Sequence, residues 1–158
     1  MRTFTLLKDL PVYDEQAGKL LGRVSDICIT NEGKVSGLLV KGKGFFEKNR
    51  LAPIECISSF GNDGVMVSDK GMLEQLDDES EKTTYFLHSH HGLFQKPILT
   101  SEGEKLGLLE DVYFTEEMGT IIGYEITDGF FADITEGKKV VKAKQPFTVG
   151  EDVIVIDL

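Results

Sequence analysis

Asp26 and Asp111 are the residues of this 158-residue chain that most invite an enzymatic reading, because two carboxylates in one cleft can serve as acid and base. They occupy equivalent places in two matching motifs, and that equivalence points to a structural task. Each is expected to cap a turn or bulge by accepting backbone N–H bonds. All three histidines fall in one run, His88-Ser89-His90-His91. His88 and His90 on one face of a strand could grip a transition metal, with His91 or a nearby acid as a further ligand, and a histidine cluster could also sense pH. No cysteine lies close to the run, and it aligns with Arg2-Thr3-Phe4-Thr5, so it is read as an exposed, non-ligating strand end. Ser58-Ser59 stands in no hydrolase motif, and any Ser or Cys nucleophile would need that one histidine cluster as its base. No catalytic constellation and no cofactor site is expected.

Binding chemistry is better represented. The stretch from Lys41 to Arg50 carries Lys41, Lys43, Phe45, Phe46, Lys48 and Arg50 in a loop loosened by Gly42 and Gly44. Its cations could meet phosphates or an acidic partner while the aromatics dock. The plainer alternative is a solvated hairpin with the Phe pair tucked under a barrel. Walker spacing is absent, so no nucleotide site follows. The counterpart stretch from Thr127 to Glu136, with Phe130-Phe131, is acidic instead.

Charge supports unlike halves. The net charge is −10; residues 1–70 hold 10 basic and 9 acidic side chains, residues 71–94 hold 1 and 5, and residues 95–158 hold 6 and 13. A phosphate backbone would be repelled by the C-terminal half, so general nucleic-acid binding is not expected. Cys28 and Cys56 make no disulfide framework and read as two buried thiols in a reducing cytoplasm. No stretch approaches the roughly 20 apolar residues of a membrane span, so direct membrane insertion is not expected either.

These residues are positioned by a repeat. Gly18-Lys19-Leu20-Leu21-Gly22-Arg23-Val24-Ser25-Asp26 lies over Gly103-Glu104-Lys105-Leu106-Gly107-Leu108-Leu109-Glu110-Asp111. After one inserted residue Gly33 and Gly37 meet Gly119 and Gly123, and Val65-Met66-Val67 meets the terminal Val153-Ile154-Val155-Ile156. Ser36, Leu38 and Val40 alternate with Val35, Gly37 and Leu39, and Ile122, Tyr124 and Ile126 keep that alternation, as strands with one buried face do. The period slips between Val24 and Ile27 and again between Leu109 and Val112, which predicts a β-bulge at each aspartate. The turns at Asn31-Glu32-Gly33 and Glu116-Glu117-Met118-Gly119 close hairpins. Met72, Leu73 and Leu76 have helical spacing ahead of an acidic run.

The expected fold is all-β: two tandem small barrels, residues 1–70 and 83–158, joined over 71–82 by a short helix and acidic linker. Modules this small bury modest cores, so the copies are expected to pack together.

The doubled Gly-x-x-Leu-Gly-x-(Val/Leu)-x-Asp, with Gly18, Gly22, Asp26 and Gly37 in one copy and Gly103, Gly107, Asp111 and Gly123 in the other, resembles the PRC-barrel family. That family includes the cytoplasmic domain of the photosynthetic reaction-centre H subunit and the C-terminal domain of the ribosome maturation factor RimM. The resemblance covers nearly the whole chain and implies small β-barrels acting as an assembly or adaptor surface. Neither the N-terminal domain of RimM nor the membrane helix of the H subunit is matched. The expectation is therefore a cytoplasmic, non-catalytic adaptor that binds another protein, with homo-oligomerisation open. A metal- or small-ligand-binding module and a ribosome- or RNA-maturation-associated factor stand as alternatives.

Overall fold

A computed structural model describes residues 2–30, 32–44, 49–69, 73–75, 84–87, 92–116, 119–127, 139–142 and 148–156. The first half runs through β1 (Arg2–Thr3), a helical turn α1 (Phe4–Leu7), β2 (Pro11–Asp14), β3 (Lys19–Ile29), β4 (Val35–Lys41), β5 (Arg50–Pro53), β6 (Ile57–Phe60), β7 (Val65–Val67) and β8 (Glu74–Gln75). The second half repeats the series as β9 (Thr84–Tyr85), β10 (Pro97–Thr100), β11 (Lys105–Phe114), β12 (Ile121–Thr127), β13 (Lys139–Lys142), β14 (Thr148–Val149) and β15 (Ile154–Ile156). Strand order is β6-β7-β2-β3-β4-β5 in one sheet and β14-β15-β10-β11-β12-β13 in the other. Two pairs are parallel, β2 with β7 and β10 with β15, and each returns the last long-range strand to the side of the first, as rolling a meander toward a barrel requires. Between β5 and β6 a 3-10 turn at Ile54–Cys56 makes the corner. Among the described residues no helix is long and apolar enough to cross a membrane.

The long strand of each repeat changes partner halfway along one edge. On β3, Lys19–Arg23 pairs with β2 of its own repeat, while Cys28 and Ile29 pair with Tyr85 and Thr84 of β9, from the other repeat. On β11, Lys105–Leu108 pairs with β10, while Tyr113 and Phe114 pair with Thr3 and Arg2 of β1. Each repeat therefore lends its entry strand to the sheet of the other. Arg2 secures one exchange: its guanidinium meets Glu116 at 3.0 Å, Asn62 Oδ1 at 3.2 Å and the Phe60 carbonyl. The two hairpin tips also touch, Val35 N–H donating to the Gly119 carbonyl at 2.7 Å.

Packing follows the exchange. Phe4 and Phe86, the first residues after the two entry strands, are both buried, with ring centroids 4.9 Å apart. One hydrophobic cluster contains them together with Val24, Ile27 and Leu38 from the first repeat and Leu109, Val112, Phe114 and Tyr124 from the second. The repeats thus share a core, which relieves the poor surface-to-volume ratio of a module of this size.

Several expectations are corrected locally. Phe4 and Thr5 belong to a helical turn, capped by the Thr3 hydroxyl accepting from Leu6 N–H, so the first entry strand stops at Thr3. The second entry strand is Thr84–Tyr85, which brings Phe86 into the core beside Phe4, whereas the run from His88 to His91 lies outside the described residues. Within the segment read as a short helix, Glu74 and Gln75 instead pair with Leu51 and Arg50, covering the outer edge of β5; the rest of that segment lies outside the described residues. The single buried face expected for β4 is also exceeded, since Leu38, Leu39 and Val40 are all buried and both faces of the strand are covered.

Candidate functional site

At the point where each long strand changes partner, the ladder cannot supply acceptors for every amide, and an aspartate sits there. The register shifts between Val24 and Asp26 and between Leu109 and Asp111, as a bulge does. Asp26, with no exposed surface, accepts Ile27 N–H at 2.8 Å from its own strand. It also accepts Phe86 N–H at 3.2 Å and Leu87 N–H at 3.0 Å on Oδ1, with Leu87 reaching Oδ2 at 3.1 Å, all from the other repeat. Asp111 accepts Val112 N–H at 2.9 Å and, from the other repeat, Thr5 N–H at 3.2 Å. The pair is a reciprocal clasp between repeats, both carboxylates are buried, and neither lines the cleft on the first repeat.

A cleft of about 360 Å³ opens elsewhere, on the first repeat, lined by Asp9, Leu20, Gly22, Arg23, Val24, Ser25, Lys41, Gly42 and Lys43. Its floor is made by the close approach of β3 to β4: Gly22 has φ +156°, and a Cβ there would lie 2.1 Å from the Lys41 carbonyl oxygen. Arg23 and Lys41 are direct cross-strand partners on that ladder, so their side chains emerge on the same side. Arg23 Nη1 donates to the Asp9 carbonyl at 3.0 Å, which fixes the guanidinium at the cleft wall. Arg23, Lys41 and Lys43 are all exposed.

Of the residues read as an interaction loop, the structure brings Lys41 and Lys43 into this cleft. Arg50 is exposed on β5 opposite Val40 and does not line it. Phe45, Phe46 and Lys48 lie outside the described residues, as do His88, His90 and His91. Among the described residues no group of three or more His, Cys, Asp or Glu side chains could hold a metal ion. Ser58 donates to the Met66 carbonyl at 3.2 Å. Burial pushes the thiols of Cys28 and Cys56 up to about 12 and about 11, so both stay protonated at neutral pH. Arg23 and Asp9 were missed by reading motifs, since Arg23 occupies a variable position of the repeat and Asp9 precedes it.

The remaining motif glycines serve the backbone. Gly18 and Gly103 close turns onto the Asp14 and Thr100 carbonyls, and Gly37 and Gly123 let β4 and β12 approach β5 and β13. In the second repeat the cleft positions of Arg23, Ser25 and Lys41 are taken by Leu108, Glu110 and Thr127, with Leu108 paired to Thr127 and the Thr127 hydroxyl 3.4 Å from Glu110. Gly107 keeps the same geometry, φ +148°, and Gln95 matches Asp9 in its left-handed conformation, φ 64° against 68°. The backbone is therefore duplicated and the charge is not.

Comparison with known proteins agrees with this architecture. The uncharacterized protein YrrD of Bacillus subtilis (strain 168) is 33% identical over 159 residues, covering 99% of this chain and 88% of that protein. The PRC-barrel domain model matches twice, over residues 1–73 and 88–158, and the chain belongs to the PRC-barrel family.

Proposed function

We propose that this chain is a non-catalytic adaptor that binds another protein through the basic face of its first repeat. The observation that carries the reading is the contrast between two repeats with one backbone. The clasp aspartates and the close-approach glycines that shape the fold are present in both copies. Arg23, Lys41 and Lys43 are present only in the first, so folding does not call for them. A pair of repeats locked by reciprocal strands presents that face rigidly, which lowers the ordering cost of association. The shared core and the protonated, buried thiols support a scaffold rather than a reactive centre.

Affinity capture from lysate of the source cell tests this, with and without nuclease. The wild-type chain is expected to retain a protein partner in both conditions. Glutamate at Lys41, Lys43, Lys48 and Arg50 together is expected to abolish capture with little change in the thermal melt. Unchanged capture by the charge-reversed chain sinks the proposal, and partners lost on nuclease treatment would replace it with an RNA-dependent role.

A further inference from the structure

We infer that the first-repeat cleft is a carboxylate-binding site that takes an acidic, extended segment of the partner, with Arg23 as its anchor. This rests on the proposal that the basic face is the interaction face, and adds the chemistry of what it binds. The decisive feature is the Arg23–Lys41 pair. Like charges directly opposite on an antiparallel ladder destabilise it, and here Lys43 lies against the same cleft, with Asp9 the one acidic residue of its lining. The corresponding pair in the second repeat, Leu108 with Thr127, carries no such repulsion. An anion seated between Arg23 and Lys41 converts that repulsion into two attractions.

The donor set selects carboxylate geometry. One Arg23 nitrogen is held by the Asp9 carbonyl, which orients the planar guanidinium; its other donors can meet a carboxylate side-on in two parallel bonds. Lys41 and Lys43 add point charges, and Ser25, whose hydroxyl donates to the Leu39 carbonyl at 3.2 Å, lines the same wall. A cleft of about 360 Å³ admits a side chain or two, not a globular surface. The Debye length of about 8 Å at physiological salt isolates the cleft from the excess negative charge of the second repeat for a short ligand. A long polyanion such as RNA would run into that charge.

The test uses the full chain and a short fluorescein-labelled peptide of Glu, Asp and Ser, with its Gln, Asn and Ser counterpart as control, read by fluorescence anisotropy. The acidic peptide is expected to bind with an affinity that falls as salt rises, and the amide counterpart is not. Arg23→Glu is expected to weaken binding at least about tenfold, the loss of one charge-assisted bidentate contact. Lys142→Glu, an exposed cation of the second repeat away from the cleft, is expected to change it less than about twofold. Equal losses in the two variants, or no binding of the acidic peptide, overturn the inference. If the peptide fails while charge reversal still abolishes capture of the partner, the face is an interaction surface of other chemistry: the adaptor reading stands and the carboxylate site falls.

Discussion

Asp26→Ala is expected to destabilise the chain by about 3–5 kcal/mol, lowering the melting temperature by roughly 10 °C, because it takes the carboxylate acceptor from the Ile27 and Leu87 amides and leaves Phe86 N–H only its 3.2 Å contact with the Ile27 carbonyl. Asp26 accepts from Ile27, Phe86 and Leu87, and the last two belong to the segment that the second repeat lends to the first. The damage therefore spreads: without the clasp, β9 and the Phe86 side chain lose their anchor in the shared core. Asp26→Asn keeps one acceptor oxygen but turns its amide NH2, a donor, toward the Leu87 N–H at the second contact, so a smaller loss of about 1–2 kcal/mol is expected. Asp111→Ala should fall between, since its cross-repeat contact is the single Thr5 N–H. Thermal melts followed by circular dichroism rank the three. An unchanged melt combined with weakened partner capture by Asp26→Asn would place the carboxylate in binding rather than in the fold.

Gly22→Ala and Gly107→Ala are expected to be comparably severe, each costing more than about 3 kcal/mol, because the added methyl meets backbone. At Gly22 it would stand 2.1 Å from the Lys41 carbonyl oxygen, and at Gly107 2.4 Å from that of Thr127, at φ values of +156° and +148° that L residues rarely adopt. Relief requires β3 to part from β4, or β11 from β12. The denaturation midpoint is the check. The two variants separate structure from binding, since parting β3 from β4 also pulls Arg23 away from Lys41. Gly107→Ala, studied at a temperature where it remains folded, should keep partner capture; Gly22→Ala should lose it.

Much of this architecture was legible in the sequence. The period slip beside Asp26 and Asp111 marks the two register shifts, and Gly33 and Gly119 take the left-handed turn conformation at φ +83° and +66°. The strand exchange was not legible. Arg2–Thr3 and Thr84–Tyr85 are two-residue strands, and nothing local says which sheet receives them; burial of Phe4 against Phe86 decides it. The second repeat has nine residues between its entry strand and Gln95, where the first has five before Asp9, so counting from the shared motif does not locate β9. The cleft was half legible. Lys41 and Lys43 stood out as a cluster, whereas Arg23 joins them only through the β3–β4 ladder. Counting back from the Thr30–Lys34 turn would have found it, because the two irregularities on that ladder offset each other.

Cutting the chain between Asp78 and Glu79, at an engineered protease site, is the most direct test of the claim that two repeats form one body by exchanging entry strands. Native mass spectrometry of the nicked protein should show both pieces together at the mass of the intact chain plus the one water that cleavage adds, parting only in denaturant, because each piece supplies β1 or β9 to the sheet of the other. Two pieces that separate at micromolar concentration without denaturant would contradict the exchange and, with it, the rigid presentation of the basic face.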